Sequence, residues 1–208
     1  MRRSPGAPVR VVPNSFPACG PILPRQESAP VRALFLGTMT YHPNEDAVLF
    51  FCNQVLPLLR AEPSIDIEID IVGRGPSSQV MALAELPGVN VIGGVEQVEP
   101  YYAAADFVIV PVRYGGGTRI KILEALALGR PIVSTSIGAE GLELRPGKDI
   151  LIADTPEEFA LCCRKLAQDH ELQRSIAASG RQRFMTLYEA EHVRCELTQA
   201  LLELCSAT

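Results

Sequence analysis

Short apolar runs alternate along this chain with longer stretches in which apolar residues recur at helical spacing. Arg32-Ala-Leu-Phe-Leu-Gly37 is a run closed by glycine, and it predicts a buried strand. His42-Pro43-Asn44 then opens a helix. Asn44 is the expected N-cap, and Glu45 and Asp46 are favourable in the first turn. That helix is expected to reach about Arg60, with Pro57 kinking it or starting a second piece. Further strands are predicted over Ile67–Val72, Val89–Ile92, Phe107–Val110, Pro131–Thr135 and Asp149–Ile152. Between them, helices are predicted over Gln79–Glu85, Val98–Ala105 and Thr118–Leu128, followed by three more at about 156–168, 171–186 and 189–205. Nearly all-apolar strands alternating with helices imply an α/β fold. The expectation is a doubly wound parallel sheet covered on both faces, with C-terminal helices. Residues 1–30 contain seven prolines and little periodicity, so they read as a lead-in or linker to one domain over 31–208. No repeat of 20–50 residues is visible.

Composition narrows the function classes. The chain has 208 residues, enough for one domain with a full core. A net charge of −5 argues against broad binding to nucleic acid or to an anionic membrane, but it leaves room for a small basic pocket around a phosphate. No apolar run approaches the ~20 residues that span a bilayer, so no integral membrane segment is expected. Arg2 and Arg3 are not followed by the apolar core of a signal peptide. The six cysteines show no zinc-like spacing, and free thiols in a reducing, cytoplasmic compartment are the simplest reading.

The informative segment runs from Tyr114 through Gly115, Gly116, Gly117, Thr118, Arg119 and Lys121 to Glu124, and on to Gly129-Arg130-Pro131. A glycine-rich turn here joins a strand to a helix, which is where ligands sit in an open parallel sheet. Glycines let a ligand approach the backbone closely, and Gly116 in particular is expected to belong to a tight cradle that cannot freely accept a side chain. Free N–H groups near Thr118 and Arg119 attract an anion. Arg119 and Lys121 oppose the helix dipole in the first turn, a conflict that an anionic ligand removes. Glu124 shares a helix face with Ile120, Ala127 and Leu128, where a carboxylate is costly unless paired. Two partners stand open for it, a ribose diol and Lys121. The bland readings are a flexible surface loop, two solvated cations and a local salt bridge.

This segment and its neighbours resemble the C-terminal domain of family-four glycosyltransferases, a retaining family of the GT-B type. The resemblance runs from about Val9 to Leu204. Val11-Val12-Pro13-Asn14 is similar to the stretch after the interdomain crossover, and Phe35-Leu-Gly37 to the first strand and its glycine turn. Ile71-Val72-Gly73-Arg74-Gly75-Pro76 resembles a strand followed by G-x-G-P. Tyr101-Tyr102-Ala-Ala-Ala-Asp106 resembles a Y-x-x-A-D helix end, Gly129-Arg130-Pro131-Ile132-Val133 a G-x-P-V-V strand entry, and Gly138-Ala-Glu140-Gly141 and Pro146-Gly147 later turns. The resemblance implies a Rossmann-like half of a GT-B fold that binds a nucleotide diphosphate sugar as substrate, with no further cofactor and no metal. It implies that Glu124 holds the ribose hydroxyls. The family's other glutamate would fall at Gly116, and the G-G-G-T-R-x-K-x-x-E of this chain resembles a sub-branch in which backbone amides replace it. Gly117, Thr118 and Arg119 amides with the Arg119 and Lys121 side chains would hold the diphosphate. Gly37 and Gly73 would line the site, and the base would lie against Gly93-Gly94-Val95. The implied product is a sugar transferred to an acceptor held by a second domain or a separate acceptor-domain chain, in the cytoplasm or peripherally at the inner membrane. Two alternatives are a non-catalytic nucleotide-binding or scaffold protein of the same fold, and a dinucleotide-binding domain read from Gly73-Arg74-Gly75, where Ser78 stands at the third glycine.

Overall fold

The computed structural model describes residues 11–18, 20, 30–61, 65–117 and 119–206. Six strands form one sheet: β1 (Val31–Leu36), β2 (Ile67–Val72), β3 (Val89–Gly93), β4 (Phe107–Val110), β5 (Ile132–Ser134) and β6 (Leu151–Ile152). Every pairing is parallel, in the order β3-β2-β1-β4-β5-β6. The order reverses between β1 and β4, so this is the doubly wound arrangement with its topological switch point at that pair. Both faces of the sheet are covered, which explains the apolar runs. All four β4 residues are buried, as are Ala33, Leu34, Phe35 and Leu36 of β1.

The helices are α1 (His42–Phe50), α2 (Leu56–Arg60), α3 (Ser78–Ala82), α4 (Glu99–Ala104), α5 (Ile120–Ala127), α6 (Pro156–Gln168), α7 (His170–Leu187) and α8 (Ala190–Ser206). A π-helical turn, Phe51–Val55, joins α1 to α2 just ahead of Pro57, so the expected break there takes the form of a widened turn. α2 and this turn pack on α6, where Phe51 meets Phe159 edge-on at 5.8 Å. α5 packs on α7. Two caps follow directly from local chemistry. Thr155 and Glu158 make a reciprocal capping box at α6, and Asp169 accepts from the Glu171 and Leu172 amides at α7.

Three sequence expectations are corrected. Asn44 is not an N-cap. Tyr41 holds that position, and Asn44 lies buried inside α1, its amide donating to Thr38 O and accepting from Lys121 Nζ. The helix expected over Gln79–Glu85 is one turn of α-helix capped by Ser77, then a 3-10 turn, Leu83–Glu85. α5 starts at Ile120 with Arg119 as its N-cap, so Arg119 precedes the helix instead of lying in its first turn; Thr118 lies outside the described residues. Most of 1–30 is also outside them. Within the described part, Phe16 bridges in parallel to Glu189: its N–H donates to Tyr188 O at 3.0 Å and its carbonyl accepts from Ala190 N at 3.1 Å.

Candidate functional site

The carboxyl ends of the central strands finish in glycines set side by side. Leu36 is level with Val72, and Val72 with Gly93. The Gly37 amide donates to Val72 O at 3.0 Å, and the Gly73 amide to Gly93 O at 2.8 Å. These turns are close because they carry no side chains. A Cβ on Gly73 would stand 1.7 Å from Gly37 O, and one on Gly37 would stand 2.7 Å from Asn44 Nδ2 and 3.0 Å from Lys121 Nζ. The loops after β1 and β2 are tied by Met39 N to Arg74 O at 2.9 Å.

Above these turns lies an open cleft of about 580 Å3. Its walls are Leu36, Gly37 and Thr38 after β1; Val72, Gly73 and Arg74 after β2; Gly94, Val95, Glu96 and Val98 after β3; and Ile120, Lys121 and Glu124 of α5. Gly37, Gly73, Val95, Lys121 and Glu124, far apart in sequence, are therefore brought to one place. Gly93 ends the neighbouring strand but is not in the lining, and neither are Gly115, Gly116, Gly117 and Arg119. The glycine run belongs to a loop next to the start of α1, where the Tyr41 hydroxyl donates to Gly116 O at 3.1 Å.

Within that run the glycines differ. A Cβ on Gly115, at φ +108°, would meet Pro43 Cγ and the Tyr41 hydroxyl, each at 2.8 Å. Gly117 is free of neighbours but has φ +101°, a region that disfavours side chains. Gly116 has neither constraint: a Cβ there meets nothing within 4 Å. The protein itself therefore does not crowd Gly116; the crowding is at Gly115 and the backbone demand at Gly115 and Gly117.

The cations and the carboxylate are held by partners the sequence did not reveal. Lys121 Nζ donates to Asn44 Oδ1 at 2.6 Å and lies 4.5 Å from the centroid of the Phe35 ring. Burial, then the neighbouring Arg119 charge, brings its ammonium down to about 7. Glu124 does not pair with Lys121. Its Oε2 accepts from the Tyr102 hydroxyl at 2.9 Å. Burial pushes the Glu124 carboxyl up, and the Tyr102 hydrogen bond partly offsets this. Arg119 keeps 11% of its side chain exposed; its Nη2 donates to Gly115 O at 3.2 Å and pairs with Glu140 at 3.4 Å. Its Nε is buried without a hydrogen-bond acceptor among the described residues, a donor that an anion can satisfy.

Sequence reasoning missed Asn44, Tyr102, Arg74, Glu96 and Val98 as parts of the site. Tyr102 and Arg74 stood inside motifs quoted above for another reason, and Asn44 and Val98 were read only as helix-start residues. The dinucleotide reading of Gly73-Arg74-Gly75 also loses its context: the segment follows β2, whereas that fingerprint opens the first strand–helix turn. No group of three or more potential metal ligands occurs among the described residues. No helix among them is long and apolar enough to cross a membrane.

A doubly wound parallel sheet with an open cleft at its switch point defines the class: an α/β protein of Rossmann-like architecture. The chain belongs to the glycosyl transferases group 1 family, whose sequence profile matches residues 30–169. Among its relatives, an uncharacterized 44.6 kDa protein in the cps region of Klebsiella pneumoniae is 28% identical over 135 residues, covering 61% of this chain and 34% of that protein. The trehalose synthase of Rubrobacter xylanophilus is 35% identical over 113 residues, covering 53% and 24%. The chain thus spans about a quarter to a third of the length of these relatives. Similar solved structures include the sucrose-phosphate synthase of Thermosynechococcus elongatus, with a TM-score of 0.70 and 18% identity over 96% of this chain and 53% of that one. Another is Anabaena HepE in complex with UDP and glucose, with a TM-score of 0.63 and 16% identity, covering 82% and 47%. At those identities the structures establish the shared fold, that of a GT-B glycosyltransferase domain.

Proposed function

We propose that this chain is the donor-binding part of a glycosyltransferase, holding a nucleotide diphosphate sugar in the cleft at the ends of β1 and β2. The observation that carries this is the convergence of two bare glycine turns, Gly37 and Gly73, with one cation and one carboxylate of α5, Lys121 and Glu124, around one open space. Glu124 accepts from the ribose hydroxyls, and the base lies towards Gly94 and Val95. Lys121 neutralises the diphosphate and the charge that develops on it as the sugar departs, with Arg119, whose charge acts on Lys121 and whose buried Nε lacks an acceptor among the described residues, beside it. The like-folded HepE, which holds UDP and glucose, supports a nucleotide sugar as the ligand class. Transfer is to an acceptor presented by a second domain or a separate chain, with retention at the anomeric carbon. The free thiols of Cys52, Cys162, Cys163 and Cys195 favour the cytoplasm, in solution or peripherally at the inner membrane.

The test is calorimetric titration with ADP, GDP, UDP and their sugar conjugates. At least one should bind, and Glu124→Gln should weaken it roughly tenfold to a hundredfold, the equivalent of about 1.5–3 kcal/mol for hydrogen bonds to a charged group. Binding unchanged in Glu124→Gln defeats the ribose assignment. Absence of binding by every nucleotide makes the chain a scaffold of the same fold.

A further inference from the structure

Glu124 enters the cleft with one oxygen already engaged. The Tyr102 hydroxyl donates to Oε2 at 2.9 Å from α4, a different element. Tyr102 is 0% exposed, so its ring is fixed by packing. Its own amide is held by Val98 O at 3.2 Å, and Val98 lines the cleft. The terminal torsion of a glutamate is broad, and an untethered carboxylate swings about it. A phenol bond from a rigid neighbour removes that freedom.

We infer that Tyr102 is a positioning residue for Glu124, holding Oε2 so that the carboxylate plane is set and Oε1 is presented as acceptor to a ribose hydroxyl. The inference rests on the ribose reading proposed above. Tyr102 does not touch the ligand. It acts by pre-organising the acceptor, so the ordering of the carboxylate is complete before the nucleotide arrives.

The experiment measures ribose recognition directly. The nucleoside diphosphate bound most tightly among ADP, GDP and UDP is compared with its 2′-deoxy form on the wild type, Tyr102→Phe, Glu124→Gln and the double variant. The wild type should prefer the riboside by about tenfold or more. Tyr102→Phe should cut that preference at least about threefold, and on the Glu124→Gln background it should change nothing further. The preference should also fall on acidification, as Glu124 gains a proton, and the midpoint should move to higher pH in Tyr102→Phe because a donor to the ionised form is gone. Around Glu124, Glu99 on α4 adds repulsion, and Lys121, Arg74 and Glu96 line the same cleft. Their effects on the phosphates cancel in the ribose-to-deoxyribose ratio. A preference and midpoint unchanged in Tyr102→Phe overturn the inference and leave the ribose reading standing. A wild type that shows no preference, or binds none of the three, overturns both. Should Tyr102→Phe not fold, wild-type chain labelled with 3-fluorotyrosine gives the answer. Its Tyr102 fluorine resonance should titrate with the same midpoint as the preference, and a resonance that does not move overturns the inference.

Discussion

Lys121 shows how one side chain joins the sequence to the site. Its position in the glycine-to-helix segment marks it as a cation for an anionic ligand, but its state depends on Asn44, Phe35 and Arg119. An ammonium brought down to about 7 is partly neutral at physiological pH. Below about 7 it is charged and attracts the diphosphate; as pH rises through that value, the charge and the attraction are lost. The affinity for a nucleotide sugar, whose phosphates do not titrate in this range, should therefore fall between pH 6 and 8.5. Lys121→Arg, which stays charged, should flatten the profile. Titration at several pH values checks this, and an equally steep profile in Lys121→Arg refutes it. The segment's glycines and charges were legible because they are contiguous. Asn44 and Tyr102 were not, because their contacts cross 77 and 22 positions and depend on which helices the fold sets side by side.

Elements were legible where local pattern and burial agree. β4 and most of β1 are apolar because helices cover both sides of the sheet, β2 alternates apolar residues with Glu68 and Asp70, which pair with Arg32 of β1, and α6 and α7 announce themselves with caps. The π turn Phe51–Val55 was not, since nothing local distinguishes one extra residue per turn. Gly180 is a second such case. In sequence it is an unfavourable residue inside the helical pattern of α7. In the fold, a Cβ there would stand 2.7 Å from Asp149 O and 2.7 Å from Leu126 Cδ2, so the glycine lets α7 press against α5 and the turn before β6. That turn is itself tight: Asp149 is buried and accepts from Arg145 N and Nε and from the Ser179 hydroxyl. Although burial alone would raise it, the bonds from Arg145 and Ser179 hold Asp149 down at about 2. Gly180→Ala gains roughly 1 kcal/mol of helix propensity against an overlap of about 1–3 kcal/mol. Because one clashing atom is backbone, the net should be destabilising. Thermal unfolding should show Tm lowered by a few degrees; a raised Tm would mean that α7 has slack at Gly180.

For the whole molecule, the strand order and the location of the cleft follow from alternating strands and helices, because a parallel sheet whose order reverses opens at one point. The shape of the cleft did not follow, since its walls come from four separate loops and helices. The same geometry sets what the chain does by itself. The cleft is open, so under the proposed function a bound donor sugar would remain in contact with water. Positioning an acceptor against the anomeric carbon supplies about 7–11 kcal/mol of the barrier in favourable cases. The purified chain should therefore consume donor slowly, by hydrolysis, and should transfer efficiently only when an acceptor-binding partner is added. A donor-consumption assay with and without that partner, and with Glu124→Gln, measures this. Efficient Glu124-dependent transfer by the chain alone would place the acceptor site within these residues.

The parallel bridge of Phe16 to Glu189 has a mechanical consequence. Two backbone hydrogen bonds clip the incoming chain to the junction of α7 and α8, whereas the cleft is built on β1, β2, the loop after β3, and α5. Tension applied upstream of Phe16 is delivered first to that clip, which is loaded in shear, and reaches β1 only after the clip yields. A chain tethered ahead of Phe16 is therefore anchored on the helical junction before it is anchored on β1, and α7, which packs on α5, links that anchor to the helix that carries Glu124.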